Sequence, residues 1–212
     1  MSRTPERTET LEEWEPRTRL GRLVLDGQIS SLEEAFAEGY KIREPQIVDL
    51  LLPKLEEEVI NVSLVQKQTD AGEKSRFKAI VAVGNGDGYL GLGSAKAKQV
   101  RTAIEKAATD ARLNVTVIRR GCGSWECECG QPHSLPFETA GKRGAVKIKI
   151  IPGPRGLGLV ASEGAKTILR LAGVKDCWTR SYGSTRTVPS FAYAVFDALK
   201  KTYEIVTPED WV

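Results

Sequence analysis

The apolar positions fall into two units of different rhythm. From Glu57 the period is two: Ile60, Val62 and Leu64 alternate with Asn61, Ser63 and Val65, which predicts a strand with the first three on its buried face. Lys67 to Lys74, containing Gly72, reads as a polar loop, and the β-branched run Arg76 to Val83 as a second strand. After a cluster of glycines, Val100, Ile104, Ala107, Ala108 and Ala111 recur at helical spacing, and Val115 to Ile118 predicts another strand. The second unit opens on Ala145 to Ile151, with Val146, Ile148 and Ile150 on one face and Lys147 and Lys149 on the other. Pro152-Gly153-Pro154-Arg155-Gly156 is a rigid turn. Ile168, Leu169, Leu171 and Ala172 belong to a helix stopped by Gly173; Cys177 to Tyr182 is extended; Pro189 to Lys201 is a helix burying Phe191, Val195, Phe196 and Leu199.

Ahead of both units the pattern is weaker. Met1 to Arg17 is polar and aperiodic, which predicts a disordered arm. Ser30 or Ser31 caps a helix that runs to about Glu38 and stops at Gly39, with Glu33 or Glu34 closing a capping box. Ile47 to Leu52 is a short apolar segment ended by Pro53. The organisation expected is an arm with short helices over 1–52, one domain over 53–118 and a second over 119–212.

The run AIVAVGNGDGYLGLGSAKAKQV, residues 79–100, contains G-x-G-x-x-G at Gly86, Gly88 and Gly91. A dinucleotide site needs a helix to start at that fingerprint, so that its N-terminus meets the pyrophosphate. Here Gly91 and Gly93 fall where the first helical turn would be, and glycine is a poor helix former. Asn85-Gly86 and Asp87-Gly88 are instead strong hairpin signals, because such turns need positive φ. The acidic residue that would contact a ribose is missing as well; Asp110 sits inside the helix pattern. The glycines turn a hairpin, and their flanks let another backbone or a ligand come close.

Composition narrows the class. With 41% hydrophobic residues the chain can bury a core, and no apolar stretch approaches the roughly 18 residues of a membrane span. The charged N-terminus is unlike a signal peptide, so a cytosolic protein is expected, with neither a membrane nor a small-molecule substrate as partner. The net charge of +3 is uneven: residues 1–48 hold seven basic and ten acidic side chains, and residues 119–212 hold fourteen and nine. Such asymmetry suits a basic surface facing a polyanion. No complete phosphate-binding loop is present, since Gly164-Ala165-Lys166-Thr167 has only its tail, and no nucleophile, base and orienting group share a familiar spacing.

The remaining order, a short helix and then β-β-β-α, matches a double-stranded-RNA-binding type of module. Lys67, Lys74, Arg76 and Lys78 lie at its first hairpin, and Lys96, Lys98 and Arg101 at the start of its last helix. Cations at a helix N-terminus cost about a few tenths of a kcal/mol each, a cost an external anion removes. The alternative is a solvated helix face.

The runs FKAIVAVGNGDGYLGLGSAKAKQVRTAIEKA, GPRGLGLVASEGAKTILRLAGVKDCWTRSYGSTR and VPSFAYAVFDALKK closely resemble the universal small-subunit ribosomal protein S-five family. LGRLV, SLEEAF and KTYEIVTPEDW look like its archaeal and eukaryotic branch, and the likeness covers roughly residues 18–212. The resemblance implies an α+β fold: a double-stranded-RNA-binding-like domain (α-β-β-β-α), then an α/β sandwich domain with a left-handed β-α-β crossover. It implies a non-enzymatic constituent of the small ribosomal subunit that binds rRNA where messenger RNA enters, touches neighbouring ribosomal proteins, and supports assembly and decoding fidelity. By the same resemblance the loop Val65 to Lys74 reaches rRNA, Asn85, Asp87, Lys96 and Lys98 sit in the glycine-hairpin motif, and Arg155, Arg180 and Arg186 sit in matching C-terminal motifs. Aromatics make up only 7%, so base stacking is expected to be minor. Two rivals stand beside this reading: a free-standing structured-RNA-binding regulator, and an enzyme with a phosphate-ester site around Gly153 to Gly158.

RRGCGSWECECGQPHSLP lies outside that pattern. Cys122, Cys127, Cys129 and the only histidine, His133, fall within twelve residues. Three thiolates and an imidazole can close a tetrahedral zinc shell, and clustered cytosolic cysteines seldom form disulfides. The gaps, C-x4-C-x-C-x3-H, depart from the usual paired knuckle, so reduced thiols with a locally bonded His133 are the alternative. Arg119 and Arg120 before the cluster, and Lys142 and Arg143 after it, would let a stapled loop present cations to RNA. Cys177 reads as core packing.

Overall fold

A computed structural model describes residues 14–127 and 129–204. Three short helices come first: α1 (Arg19–Leu25), α2 (Leu32–Ala37) and α3 (Pro45–Leu51). Ser31 caps α2, its hydroxyl accepting from the Glu34 amide while the Glu34 carboxylate reaches back, and Gly39 ends the segment with φ +77°. Leu20, Val24, Ile29, Ala35 and Ile47 form their shared core, and Trp14 packs against it. The expectation of disorder thus fails for Trp14 to Arg17, and its remainder, residues 1–13, lies outside the described residues.

β1 (Glu56–Thr69), β2 (Gly72–Gly84), β3 (Tyr89–Ala97) and β4 (Thr116–Val117) form an antiparallel sheet in chain order, with α4 (Val100–Leu113) between the last two. β5 (Thr139–Arg143), β6 (Val146–Pro152), β7 (Leu159–Val160) and β8 (Cys177–Tyr182) form a second sheet in the order β5-β6-β8-β7. β7 and β8 are parallel and joined through α5 (Glu163–Leu171), which makes the β-α-β crossover. α6 (Val188–Lys200) and a 3-10 turn (Lys201–Glu204) follow.

The strand period explains the layering. On β2, Ala79, Val81 and Val83 pack on α4 through Ala103, Ala107, Ala108 and Ala111. The alternate residues Ile80 and Ala82, with Leu90 and Leu92 of β3, join a core with α5, α6 and the Val146, Ile148 and Ile150 face of β6. The two predicted domains therefore share one core, and the unbroken apolar run AIVAV reflects burial on both sides.

Two expectations need correction. Val62 and Leu64 do not share a buried face with Ile60; they are 37% and 53% exposed. A β-bulge between Val59 and Asn61 leaves Ile60 without a cross-strand partner and shifts the alternation by one residue. Ile60 packs toward the shared core, while Val62 and Leu64 stay at an uncovered sheet edge. Lys67 to Lys74 is also not a loop. The ladder runs on through Lys67↔Lys74 to Thr69↔Gly72, so only Asp70 and Ala71 turn the chain. With both faces in water, polarity hid the strand from the pattern.

The glycines divide their work. Asn85 to Gly88 form the hairpin connection, with Gly86 at φ +69° and Gly88 at φ +95°. Gly91 and Gly93 have ordinary φ values, and a Cβ on either would collide with the Ala111 backbone of α4. They let helix and strand approach. Gly93→Ala is expected to lower unfolding free energy by about 1–3 kcal/mol, the usual cost of overpacking. An unchanged denaturation midpoint would contradict this packing.

Candidate nucleic-acid interface and cysteine cluster

Register fixes where the hairpin cations point. The pairs Lys67↔Lys74, Val65↔Arg76, Ser63↔Lys78 and Lys78↔Lys96 put Lys67, Lys74, Arg76, Lys78 and Lys96 on one face. Lys67 opposes Lys74 directly and Lys78 opposes Lys96, an arrangement that destabilises a sheet by up to about 1 kcal/mol per pair. Acidic character lies on the other face, where Gln66 Nε2 donates to Glu73 Oε2 and Ser75 Oγ, both at 3.2 Å. Lys96 lies in β3 rather than at the helix start where the pattern put it. Arg76, Lys96, Lys98 and Lys106 line an open hollow of about 400 Å³ beside the first turn of α4. Gln99, the N-cap, makes no side-chain cap bond, so the positive end of the helix adds to this potential. Lys106 was not among the expected residues; its signal was the four-residue step from Thr102, which puts both on one helix face.

Other expected RNA-facing residues have structural partners. Asn85 Oδ1 accepts from the Asp87 amide at 2.8 Å and the Tyr89 amide at 3.1 Å, holding the glycine turn. Asp87 and Arg120 pair with each other across that turn. Arg101 Nε donates to Glu105 Oε1 at 3.0 Å along α4. Arg119 stacks 5.1 Å from the Tyr203 ring centre, and Arg143 lies 5.3 Å from that of Tyr193. Lys142 and Arg143 belong to β5, after the cysteine loop. Lys142 opposes Lys147 and Arg180 opposes Lys149, so these four cations share the outer face of the second sheet. Lys149 Nζ donates to Glu138 Oε1 at 2.6 Å. Arg155 and Arg186 are exposed on loops.

The cysteine loop is closed at its base by paired amide bonds between Gly121 and Ser134, both 2.9 Å. Inside it, the sulfurs of Cys122, Cys127 and Cys129 and a ring nitrogen of His133 all lie within 4.8 Å of one another. A tetrahedral zinc–thiolate shell has donors about 3.8 Å apart, so small shifts would close one here. All three cysteines are free. His133 is buried, its Nδ1 held 2.9 Å from Asp176 Oδ2, while Nε2 lies 3.9 Å from the Cys127 sulfur. That orientation leaves Nε2 as the metal-facing nitrogen, as in carboxylate–histidine–metal arrangements. The donor set fits the ion. Asp176 lies 43 residues from His133, and no spacing rule pointed to it. The loop also displays Trp125, 88% exposed, which a count of aromatics overlooked.

The Arg155 amide, then the Cys129 side chain and amide, hold the Cys127 thiol down at about 6. At Cys129 the Gln131 amide pulls downward, but burial and the Cys127 and Cys122 sulfurs leave its thiol above the usual range. Burial, and then Asp176, push Cys177 up to about 12. Because the folded value of Cys127 is depressed, its thiolate favours the fold at high pH and that contribution is lost as pH falls through about 6. In metal-free protein, alkylation of Cys127 should slow as pH drops through about 6, with Cys177 unreactive until unfolding. Equal alkylation of both at neutral pH would contradict this environment.

A double-stranded-RNA-binding-like sheet with a cationic ribbon, sharing its core with a second α/β unit, defines a two-domain nucleic-acid-binding class. The chain belongs to the ribosomal protein S5 family: residues 55–119 match its N-terminal domain and residues 141–210 its C-terminal domain. It is 58% identical to small ribosomal subunit protein uS5 of Thermofilum pendens over 199 residues, 94% of this chain and 98% of that one. Against the uS5 proteins of Ignicoccus hospitalis and Saccharolobus solfataricus the identities are 56% (97% of each chain) and 54% (95% of this chain, 94% of the relative). This is a family of structural ribosomal proteins, and the phosphate-ester reading of Gly153 to Gly158 is set aside. Among the described residues no helix is long and apolar enough to cross a membrane.

Proposed function

We propose that this chain is a structural constituent of the small ribosomal subunit that binds small-subunit rRNA through the cationic face of its β1–β2 ribbon. It contacts neighbouring ribosomal proteins near the path by which messenger RNA enters, and supports assembly and decoding fidelity. The observation that carries the reading is the sorting of Lys67, Lys74, Arg76, Lys78 and Lys96 onto one face, with two like-charged pairs directly opposed. Such pairs weaken an isolated sheet and become favourable against a run of phosphates. The hollow at α4 and the Lys142, Lys147 and Arg180 face extend the positive surface. Binding of small-subunit rRNA should therefore weaken steeply with salt. Lys67→Glu/Lys74→Glu should reduce the salt slope by about one per lost phosphate contact and lower incorporation into subunits. Unchanged affinity and slope would refute the ribbon assignment. A protein absent from washed small subunits yet tight on duplex RNA would instead be a free regulator.

A zinc ion completes the cysteine cluster in this reading. Cys122, Cys127 and Cys129 would hold it as thiolates and His133 through Nε2, since Nδ1 is taken by Asp176. The ion would serve as a cross-link in a loop with little apolar core of its own. Protein purified without chelator or metal-affinity tag should carry about one zinc per chain, lost in Cys127→Ser/Cys129→Ser. Metal-free wild type would refute the site.

A further inference from the structure

We propose that Asp176 joins the cysteine cluster and the Gly153–Gly158 loop into one unit, so that metal occupancy of the cluster sets the conformation of that loop and the position of Arg155. This rests on the zinc reading above and extends it to a segment twenty residues away in sequence.

Between β6 and β7 the chain has no ladder or helix to satisfy its backbone, so its N–H groups need partners elsewhere. They find them on the cluster and its supports. The Gly153 amide donates to Ser134 Oγ at 3.2 Å, and the Arg155 amide is close enough to the Cys127 sulfur to hold its thiol down. Gly156 and Gly158 both donate to Asp176 Oδ1, at 3.1 and 2.8 Å. Within the loop itself there is only the Leu157 amide on the Pro154 carbonyl, at 3.3 Å. Gly156 and Gly158 stand at φ +88° and +75°, conformations that pairing must hold in place.

Asp176 is placed to transmit between the two. Its side chain is 7% exposed, and its oxygens are divided, Oδ1 to the loop and Oδ2 to His133 Nδ1. Its own backbone is tied to the cluster as well: the Asp176 amide donates to the His133 carbonyl at 3.2 Å, and Ser134 Oγ donates to the Asp176 carbonyl. A buried carboxylate with two amide donors and one imidazole donor cannot give up one partner without shifting the others. An ion on His133 Nε2 and Cys127 fixes the sulfur beside the Arg155 amide and, through the imidazole, the carboxylate that accepts from Gly156 and Gly158. Without it, His133 keeps its bond to Asp176 but loses its link to the Cys127 side of the cluster, so the acceptor of the Gly156 and Gly158 amides is held less rigidly. Asp176 is thus a positioning residue for both elements, and Arg155 is the exposed cation whose place depends on it.

The test uses the intact chain in two forms, zinc-loaded and chelator-stripped, followed by hydrogen exchange over residues 153–158. Exchange there should rise at least tenfold on stripping while β6 and β8 keep their protection. Asp176→Asn, read by competition with a chromophoric chelator, should bind zinc about 10- to 100-fold more weakly. The exchange comparison needs no variant, so it stands even where that substitution impairs folding. Stoichiometric zinc with equal exchange in both forms would overturn the coupling and leave the zinc site standing. Failure to bind zinc at all would sink both.

Discussion

Both sheets close on the same two helices, α5 and α6, and this shared layer constrains everything else. It requires β2 to be buried on both faces, so Ala79 to Val83 must be apolar without interruption. It brings the end of β2 against the C-terminus of α5, where the Gly86 amide donates to the Leu171 carbonyl at 2.9 Å and Gly84 leaves no room for a Cβ. The glycine run that resembles a nucleotide fingerprint serves three contacts at once: a turn, the approach of α4 and the approach of α5. Close packing of this kind leaves little of the first sheet free. What remains free is the polar end of the ribbon, and that is where the cations lie.

Much of this was legible in the sequence wherever burial was one-sided. The Val146, Ile148 and Ile150 alternation, the Ser31 cap and the helix stops at Gly39 and Gly173 all appear as the pattern predicts. The ribbon beyond Val65 was not legible, because a strand solvated on both faces has no apolar period. The bulge at Ile60 was not legible either, since one unpaired residue reverses the alternation without leaving a composition signal. The cysteine donor set could be read from its spacing, whereas its carboxylate support depended on a tertiary contact between His133 and Asp176. The ribosomal role came from long motifs; charge and periodicity alone led only to an RNA-binding type of module.

Electrostatics separates structural charges from free ones. Arg112 is fixed between Asp49 and Glu57, binding α4 to α3 and to the start of β1. Arg120 is committed to Asp87, and Arg101 to Glu105. The ribbon lysines face one another instead, which an isolated protein tolerates only in high dielectric and salt. The surface is therefore arranged for a partner that supplies the missing negative charge.

The central claim is that the ribbon face lies against rRNA in the assembled particle. The most direct measurement is a photo-crosslinker carried at position 67 in assembled small subunits, with the crosslinked partner then identified. The account predicts a crosslink to small-subunit rRNA that disappears when the particle is disassembled in high salt. Crosslinks only to neighbouring proteins, or none at all, would contradict it.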